Sequence, residues 1–289
     1  MMMWCCMIQL SLLVLACSTA SFCLAYNLQG KRVLVTGASG GIGRGIALLL
    51  GREHGCHVLV HYHTRSEGAQ ETLAALQDHA AGIVQADFRD PAEIHRMFAQ
   101  LDEIWPEGLD VVVNNAGVVT KEALDDDDAY LTSWHETLAV NLHAPRLISQ
   151  LAKRRMKQGG VILNVSSIHG EKSTEWMTAY AVSKSALDAL TRGLALEYAA
   201  DGIRVNGIAP GVVPVERTAP AFADEKVTTM WKEKLPLDAL GTVEQIAEAC
   251  VPLLTNDWIT GTTWQIDGGM MARANFPDRP RPLKVGGTC

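Results

Sequence analysis

Arg32-Val33-Leu34-Val35-Thr36-Gly37-Ala38-Ser39-Gly40-Gly41-Ile42-Gly43 is the stretch on which the fold turns. It opens as a short, almost wholly apolar run, the pattern of a strand buried on both faces of a parallel sheet. Glycines follow at 37, 40, 41 and 43, and a helix-compatible segment, Gly43–Glu53, comes after them. Without a Cβ, such a turn leaves the strand tightly and lets the backbone approach a pyrophosphate closely. The helix behind it aims free N–H groups and the positive end of its dipole at the phosphates.

The same alternation continues outward. Strand candidates are Arg32–Thr36, His57–Tyr62, Ile83–Ala86, Leu109–Val113, Val161–Val165, Arg204–Ile208 and Thr263–Ile266. Between them lie the helix candidates Ala69–His79, Ala92–Leu101, Leu131–Gln150, Thr178–Ala199 and Val243–Leu254. Strand and helix in repeated succession predict an α/β fold: one Rossmann-type, doubly wound parallel sheet of about seven strands, helices on both faces. No internal repeat or low-complexity linker divides the chain. The acidic run Asp125–Asp128 reads as a surface loop.

Composition narrows the function classes. Apolar residues make up 48% and charged residues 20% of the 289 residues, enough to bury a sizeable core. The formal charge is −7, from 25 Lys+Arg against 32 Asp+Glu, which argues against general affinity for nucleic acid or anionic lipid. Four of the seven cysteines (Cys5, Cys6, Cys17 and Cys23) crowd the start. Cys56, Cys250 and Cys289 are too scattered for a disulfide framework or a metal site. Residues 1–26 contain no Lys, Arg, Asp or Glu, and Met7–Leu15 has the length of a signal-peptide h-region without the usual positive n-region. Signal peptide, membrane anchor and misassigned start codon all stay open. Residues 27–272 then read as one catalytic domain that looks cytoplasmic. The proline-rich, basic stretch 273–289 reads as a tail.

Tyr180-Ala181-Val182-Ser183-Lys184 sets a tyrosine and a lysine at i and i+4, on one face of a helix. A free tyrosine, with a pKa near 10, is a poor acid or base at neutral pH. A neighbouring ammonium favours the phenolate. Bringing the phenol to about 7 would take roughly 4 kcal/mol, at about 1.4 kcal/mol per unit.

The spacing Thr-Gly-x-x-x-Gly-x-Gly, followed in order by Asp87, Asn114-Asn115-Ala116-Gly117, Asn141, Ser166-Ser167, Tyr180/Lys184 and Pro210-Gly211, resembles the short-chain dehydrogenase/reductase family from Leu28 to about Met271. The resemblance implies a catalytic tetrad of Asn141, Ser167, Tyr180 and Lys184. Ser167, 13 positions before the tyrosine, would hold the reacting oxygen. Asn141 would steady a water chain to Lys184, which would also anchor the nicotinamide ribose. Cofactor contacts are implied at Gly37, Ser39, Gly41, Ile42, Gly43, Asp87, Asn115, Ala116, Gly117, Tyr180, Lys184, Pro210 and Gly211. The strings Ser166–Lys172, Ile259–Thr263 and Asp267–Met270 are similar to glucose 1-dehydrogenase-like members, and the overall pattern also resembles 3-oxoacyl carrier-protein reductase-like members.

An NAD enzyme of this fold is expected to carry an acid at the end of the second strand, bonding the ribose hydroxyls. This chain reads His61-Tyr62-His63-Thr64-Arg65-Ser66 there, with no acid before Glu67. Arg65, helped by Ser66, suits a 2′-phosphate, so NADP(H) is preferred, with NAD(H) left open. His61 and His63 share a strand face but lack a third ligand, so no metal is expected. The expected activity is interconversion of a carbonyl and an alcohol on a sugar, a polyol or a small polar ketone. The alternatives are 3-oxoacyl thioester reduction, a membrane-tethered lipid or steroid reductase if the leader is an anchor, and a silent dinucleotide-binding redox sensor. Substrate choice should lie in Ile168–Met177, with Trp176 as an aromatic wall, and in Val212–Lys234, a candidate lid. The resemblance also implies a homotetramer or homodimer.

Overall fold

A computed structural model describes residues 26–120, 127–157 and 159–273. The leader up to Ala25, Asp125, Asp126 and the tail beyond Arg273 lie outside the described residues. The chain alternates through β1 (Arg32–Val35), α1 (Gly41–Arg52), β2 (His57–Tyr62), α2 (Ser66–Leu76), β3 (Ala80–Gln85), α3 (Pro91–Ile104), β4 (Val111–Asn114), α4 (Asp127–Leu138), α5 (Ala144–Lys153), β5 (Gly160–Val165), α6 (Thr178–Tyr198), β6 (Ile203–Pro210), α7 (Ala219–Phe222), α8 (Glu225–Lys232), α9 (Val243–Thr255) and β7 (Thr263–Ile266). All seven strands pair in parallel, in the order β3-β2-β1-β4-β5-β6-β7. The order reverses between β1 and β4, where an open α/β sheet forms its ligand crevice beyond the carboxyl ends of the strands.

Strand alternation supplies two cores. Val33, Val35, Val58, Val60, Val111 and Val113 face α1 and α9, where Ile46, Leu50, Ile246 and Leu253 complete the layer. Leu34, Leu59, Val112 and Ile162 face the other way, onto Ile94, Phe98 and Leu101 of α3, Ile148 of α5 and Leu194 of α6. Burying each such side chain contributes about 1.5–3 kcal/mol, so both faces of the sheet must be covered for the fold to persist. The helix signals act locally as well: Asp90 caps α3 ahead of Pro91, and Thr242 with Gln245 closes a capping box on α9.

The structure departs from the sequence expectation in several places: Asp127 and Asp128 of the acidic run open α4, and β4 starts at Val111, two residues late. β3 starts at Ala80, three residues early, because pairing with β2 recruits Ala80-Ala81-Gly82, a trio poor in β-formers. The long helix expected over Leu131–Gln150 is two helices joined by a π turn at Ala139–His143, ahead of Pro145. Val212–Lys234 contains two short helices, α7 and α8. No helix among the described residues is long and apolar enough to cross a membrane.

Candidate active site

The carboxyl ends of β1, β4, β5 and β6 open onto two adjoining cavities that share Asn115 and Gly117. The first, of about 280 Å³, is lined by Gly37, Ser39, Arg65, Asp87, Asn115, Ala116 and Gly117, with His61, His63, Phe88 and Arg89. The second, of about 270 Å³, is lined by Gly41, Ile42, Asn115, Gly117, Ser167, Tyr180, Lys184, Pro210 and Gly211. Of the residues expected at the site, only Gly43, Ser66 and Asn141 line neither cavity.

The floor between the cavities is held by main-chain hydrogen bonds. Thr36 Oγ1 accepts from the N–H groups of Asn115 (2.9 Å) and Ala116 (3.0 Å), and Asn115 Nδ2 donates to the carbonyls of Thr36 (2.9 Å) and Gly37 (3.1 Å). Gly37 has φ +64°, and a Cβ there would stand 2.9 Å from Ala116 Cα. A Cβ on Gly43 would collide with Asn115 Nδ2 and the Gly37 carbonyl, so Gly43 serves close packing of turn against loop. The turn thus has the close-packed shape that a dinucleotide phosphate needs. One of its N–H groups is already engaged by an anion: Glu216 Oε2 accepts the Gly41 N–H at the start of α1 at 2.7 Å.

His61 supports this floor from beneath. Its Nδ1 accepts the Gly37 N–H (3.1 Å), which leaves Nε2 as the donor to the Ala86 carbonyl (3.1 Å), and its ring stacks on Phe88 at 4.2 Å. Both nitrogens are engaged, and burial pulls the imidazole down to about 4, so His61 is a neutral structural strut. No group of three or more His, Cys, Asp or Glu side chains among the described residues could hold a metal ion.

In the first cavity Arg65 caps the start of α2 in an exposed position, and its guanidinium reaches within 2.9 Å of where a Gly40 Cβ would be. Ser66 is the exposed first residue of α2. Asp87 is already paired. Its oxygens accept from Arg89 Nε (2.9 Å) and NH2 (2.6 Å), and His63 Nε2 lies 3.5 Å away. Hydrogen bonding to Arg89 holds the Asp87 carboxyl below its ordinary range. Arg89 is thus a second cation at this end of the crevice. Nothing in its loop sequence distinguishes it from a solvated arginine.

The second cavity holds the reacting groups. Ser167, just past the end of β5, accepts the His169 N–H (3.2 Å) and lies near enough to Tyr180 to oppose the rise of its pKa, while Ser166 bonds the Lys184 carbonyl (3.4 Å). Lys184 is buried, its Nζ donates to the Val165 carbonyl (2.8 Å), and it lies 5.7 Å from the Tyr180 ring centre. Burial pulls the Lys184 ammonium down to about 8, against the opposing effect of Asp188. Tyr180 differs from expectation: its phenol stands above the ordinary value, because burial outweighs the Ser167 hydrogen bond and the positive charge of Arg217. Lys184 spends one of its three donors on the Val165 carbonyl and keeps its charge 5.7 Å from the Tyr180 ring centre.

Asn141 sits in the π turn, with its amide engaged on three sides. Oδ1 accepts the Val118 N–H (2.9 Å), and Nδ2 donates to the Val118 carbonyl (2.9 Å) and Ser183 Oγ (3.1 Å). It therefore fixes the loop after Gly117 against α6, one residue from Lys184. In the segment after Ser167, the edge of the His169 ring meets Tyr180, with centroids 5.6 Å apart. Trp176 is no cavity wall; it is exposed on a left-handed backbone with φ +67°. Val215, Arg217 and Thr218 do line the cavity, ahead of α7 and α8. The sequence marked this connection as a substrate segment but singled out none of its residues.

A family profile described as enoyl-(acyl carrier protein) reductase matches residues 37–271. A 3beta-hydroxysteroid dehydrogenase of Eggerthella lenta is 36% identical over 86% of this chain and 97% of its own length. A glucose 1-dehydrogenase of Bacillus subtilis is 34% identical over 84% of this chain and 96% of its own. Among solved structures, a gluconate 5-dehydrogenase of Burkholderia cenocepacia in complex with NADP and tartrate superposes with a TM-score of 0.77 at 26% identity, covering 86% of this chain and 98% of that one. With the doubly wound sheet, the glycine turn and the serine, tyrosine and lysine on one cavity, these matches establish that the chain belongs to the short-chain dehydrogenase/reductase family and is an NAD(P)-dependent oxidoreductase.

Proposed function

We propose that the protein is an NADP(H)-preferring reductase or dehydrogenase that interconverts a carbonyl and a secondary alcohol on a sugar, a polyol or a small polar ketone. The observation that carries this reading is that Ser167, Tyr180 and Lys184 line one cavity opening beside the glycine turn. In this reading residues 27–272 are the catalytic domain, 1–26 a leader and 273–289 a tail. A homodimer or homotetramer, as the family resemblance implies, belongs to the same reading.

The nicotinamide supplies or accepts the hydride when bound. Gly37, Ser39, Gly41, Ile42, Gly43, Asn115, Ala116 and Gly117 would hold the dinucleotide along the crevice, Asp87 its adenine end, and Pro210 and Gly211 its nicotinamide end. Arg65, with Ser66, would take the 2′-phosphate through charge-assisted hydrogen bonds. Ser167 orients the substrate oxygen, and the Tyr180 hydroxyl gives or takes the proton at that oxygen. Burial keeps the Tyr180 phenol protonated, so the proton to be given is present, and its acidity would have to come from the positive charge of Lys184 and of an oxidised nicotinamide. Lys184 holds positive charge behind the tyrosine and would anchor the cofactor ribose. Asn141 acts by position: it clamps Val118 and Ser183 on either side of the proton path to solvent.

One experiment tests both halves. NADPH and NADH oxidation is followed at about 340 nm, the reduced-nicotinamide band, over sugars, ketoses, small polar ketones, 3-oxoacyl thioesters and ketosteroids. Wild type, Tyr180→Phe and Arg65→Glu are compared. Tyr180→Phe should lower turnover by 10²–10⁴, the range for a lost general acid, with folding intact. Arg65→Glu should weaken NADPH at least tenfold more than NADH. Equal turnover in wild type and Tyr180→Phe on every class would end the enzymatic assignment, and equal losses for the two cofactors would end the NADP assignment.

A further inference from the structure

The lining of the catalytic cavity contains two cations and no acid: Lys184 and Arg217. Lys184 is committed to the Val165 carbonyl and lies within the field of Asp188. Arg217 is placed differently. It is exposed at the mouth of the cavity that Ser167 and Tyr180 line, and its charge reaches the Tyr180 phenol. Among the described residues no carboxylate forms an ion pair with it. The acid next to it in sequence, Glu216, is turned to the Gly41 N–H (2.7 Å) and to Arg44 (3.7 Å) and does not line the cavity.

The backbone that presents Arg217 is built for the purpose. Thr218 Oγ1 accepts the Val215 N–H (3.0 Å), and the Val215 carbonyl accepts the N–H groups of Thr218 and Ala219 (both 2.8 Å). Glu216 ties the same turn to α1. An arginine held by its backbone, with its planar fork uncompensated beside the reacting hydroxyls, is suited to a planar anion. An uncharged sugar or ketone would leave it unused.

We propose that Arg217 binds a carboxylate carried by the substrate, so that the enzyme acts on hydroxy acids and the corresponding keto acids. The proposal rests on the preceding assignment of the cavity as the reaction site. It narrows the substrate to anions and makes Arg217 the residue that discriminates acid from neutral analogue. The other source of anionic oxygen at this position is the diphosphate of the cofactor, and the experiment separates the two.

Protein saturated with NADP⁺ is titrated calorimetrically with two matched pairs: D-gluconate against D-glucitol, and 3-hydroxybutanoate against its methyl ester. Wild type, Arg217→Ala and Arg217→Lys are compared, and NADP⁺ affinity is measured for each. In at least one pair, wild type should bind the acid at least tenfold more tightly than its neutral counterpart. Arg217→Ala should bring that ratio close to one, and Arg217→Lys should keep part of it, which also shows that the position tolerates exchange. Absence of acid preference in both pairs, or a preference that survives Arg217→Ala, overturns the proposal. A loss of NADP⁺ affinity in Arg217→Ala with the ratio unchanged reassigns Arg217 to the cofactor and overturns it too. An Arg217-dependent preference without oxidation of either acid would leave carboxylate binding by Arg217 standing and count against this cavity as the reaction site for such acids.

Discussion

The two cavities on either side of Asn115 and Gly117 are built on opposite principles. The glycine-turn side is made of backbone: Thr36, Asn115 and His61 satisfy main-chain groups, and the absent side chains of Gly37 and Gly43 define its shape. Its polar groups are paired, so it stabilises the fold while it waits for a ligand. The catalytic side is made of side chains held against their preference. Lys184 is buried with its pKa pulled down, and Tyr180 has its pKa pushed up. Stability and chemistry coincide in the first cavity and conflict in the second.

Lys184→Met is the sharpest way to break that comparison. The folded-state pKa is about 8 against 10.5 as the ordinary value. Below pH 8 the protonated lysine therefore costs folding roughly 3 kcal/mol, at about 1.4 kcal/mol per unit. Between 8 and 10.5 the unfolded chain binds more protons, so wild-type stability rises with pH across that window. The methionine variant should lose turnover by two orders of magnitude or more. It should also melt higher than wild type at pH 7, by about 3 °C or more, and show no alkaline rise. A lower melting temperature at pH 7 would mean that the Val165 hydrogen bond outweighs the buried charge.

On the glycine-turn side, His61 predicts the opposite limb. Its folded pKa of about 4 lies below the ordinary 6.5, so its contribution is complete above pH 6.5 and is lost as pH falls toward 4. The loss should reach about 3 kcal/mol, because burial disfavours the charged ring, which also can no longer accept the Gly37 N–H. Urea unfolding across pH 7 to 4, compared with His61→Asn, measures it. The variant should begin less stable and have a shallower acid slope. Parallel slopes would assign the acid lability to other groups.

The contrast between the cavities also explains what could be read in advance. The glycine turn, the apolar strands and the Tyr180/Lys184 pair are local patterns, so period and spacing reveal them. Serine and asparagine needed the order of motifs across the whole chain, because neither stands out alone. Arg89, Glu216 and Arg217 were not separable from surface charge, since their roles depend on which loop the sheet order brings beside which. The early start of β3 follows from tertiary pairing that overrides weak local preference. The same holds for the phenol: spacing places an ammonium one helical turn away, but only the fold shows how deeply Tyr180 is buried, which pushes its pKa up.

The smallest expected effect lies at the border between the cavities. Glu216 belongs to the catalytic segment, yet its carboxylate accepts the Gly41 N–H of the phosphate turn and lies 3.7 Å from Arg44. A cofactor diphosphate and this carboxylate want the same donor and carry the same sign of charge, so each binds at the expense of the other. Glu216 is exposed, and such surface charge interactions amount to about 0.2–1 kcal/mol, which limits the competition to no more than about fivefold. Glu216→Gln keeps an acceptor of the same size and removes the charge. It should tighten NADPH binding about two- to fivefold at low salt, with the gain shrinking as salt screens the repulsion. Fluorescence titration of NADPH at two ionic strengths reads this directly. Weaker binding in the variant would show that Glu216 orders the turn for the cofactor, and the two cavities would then cooperate through it.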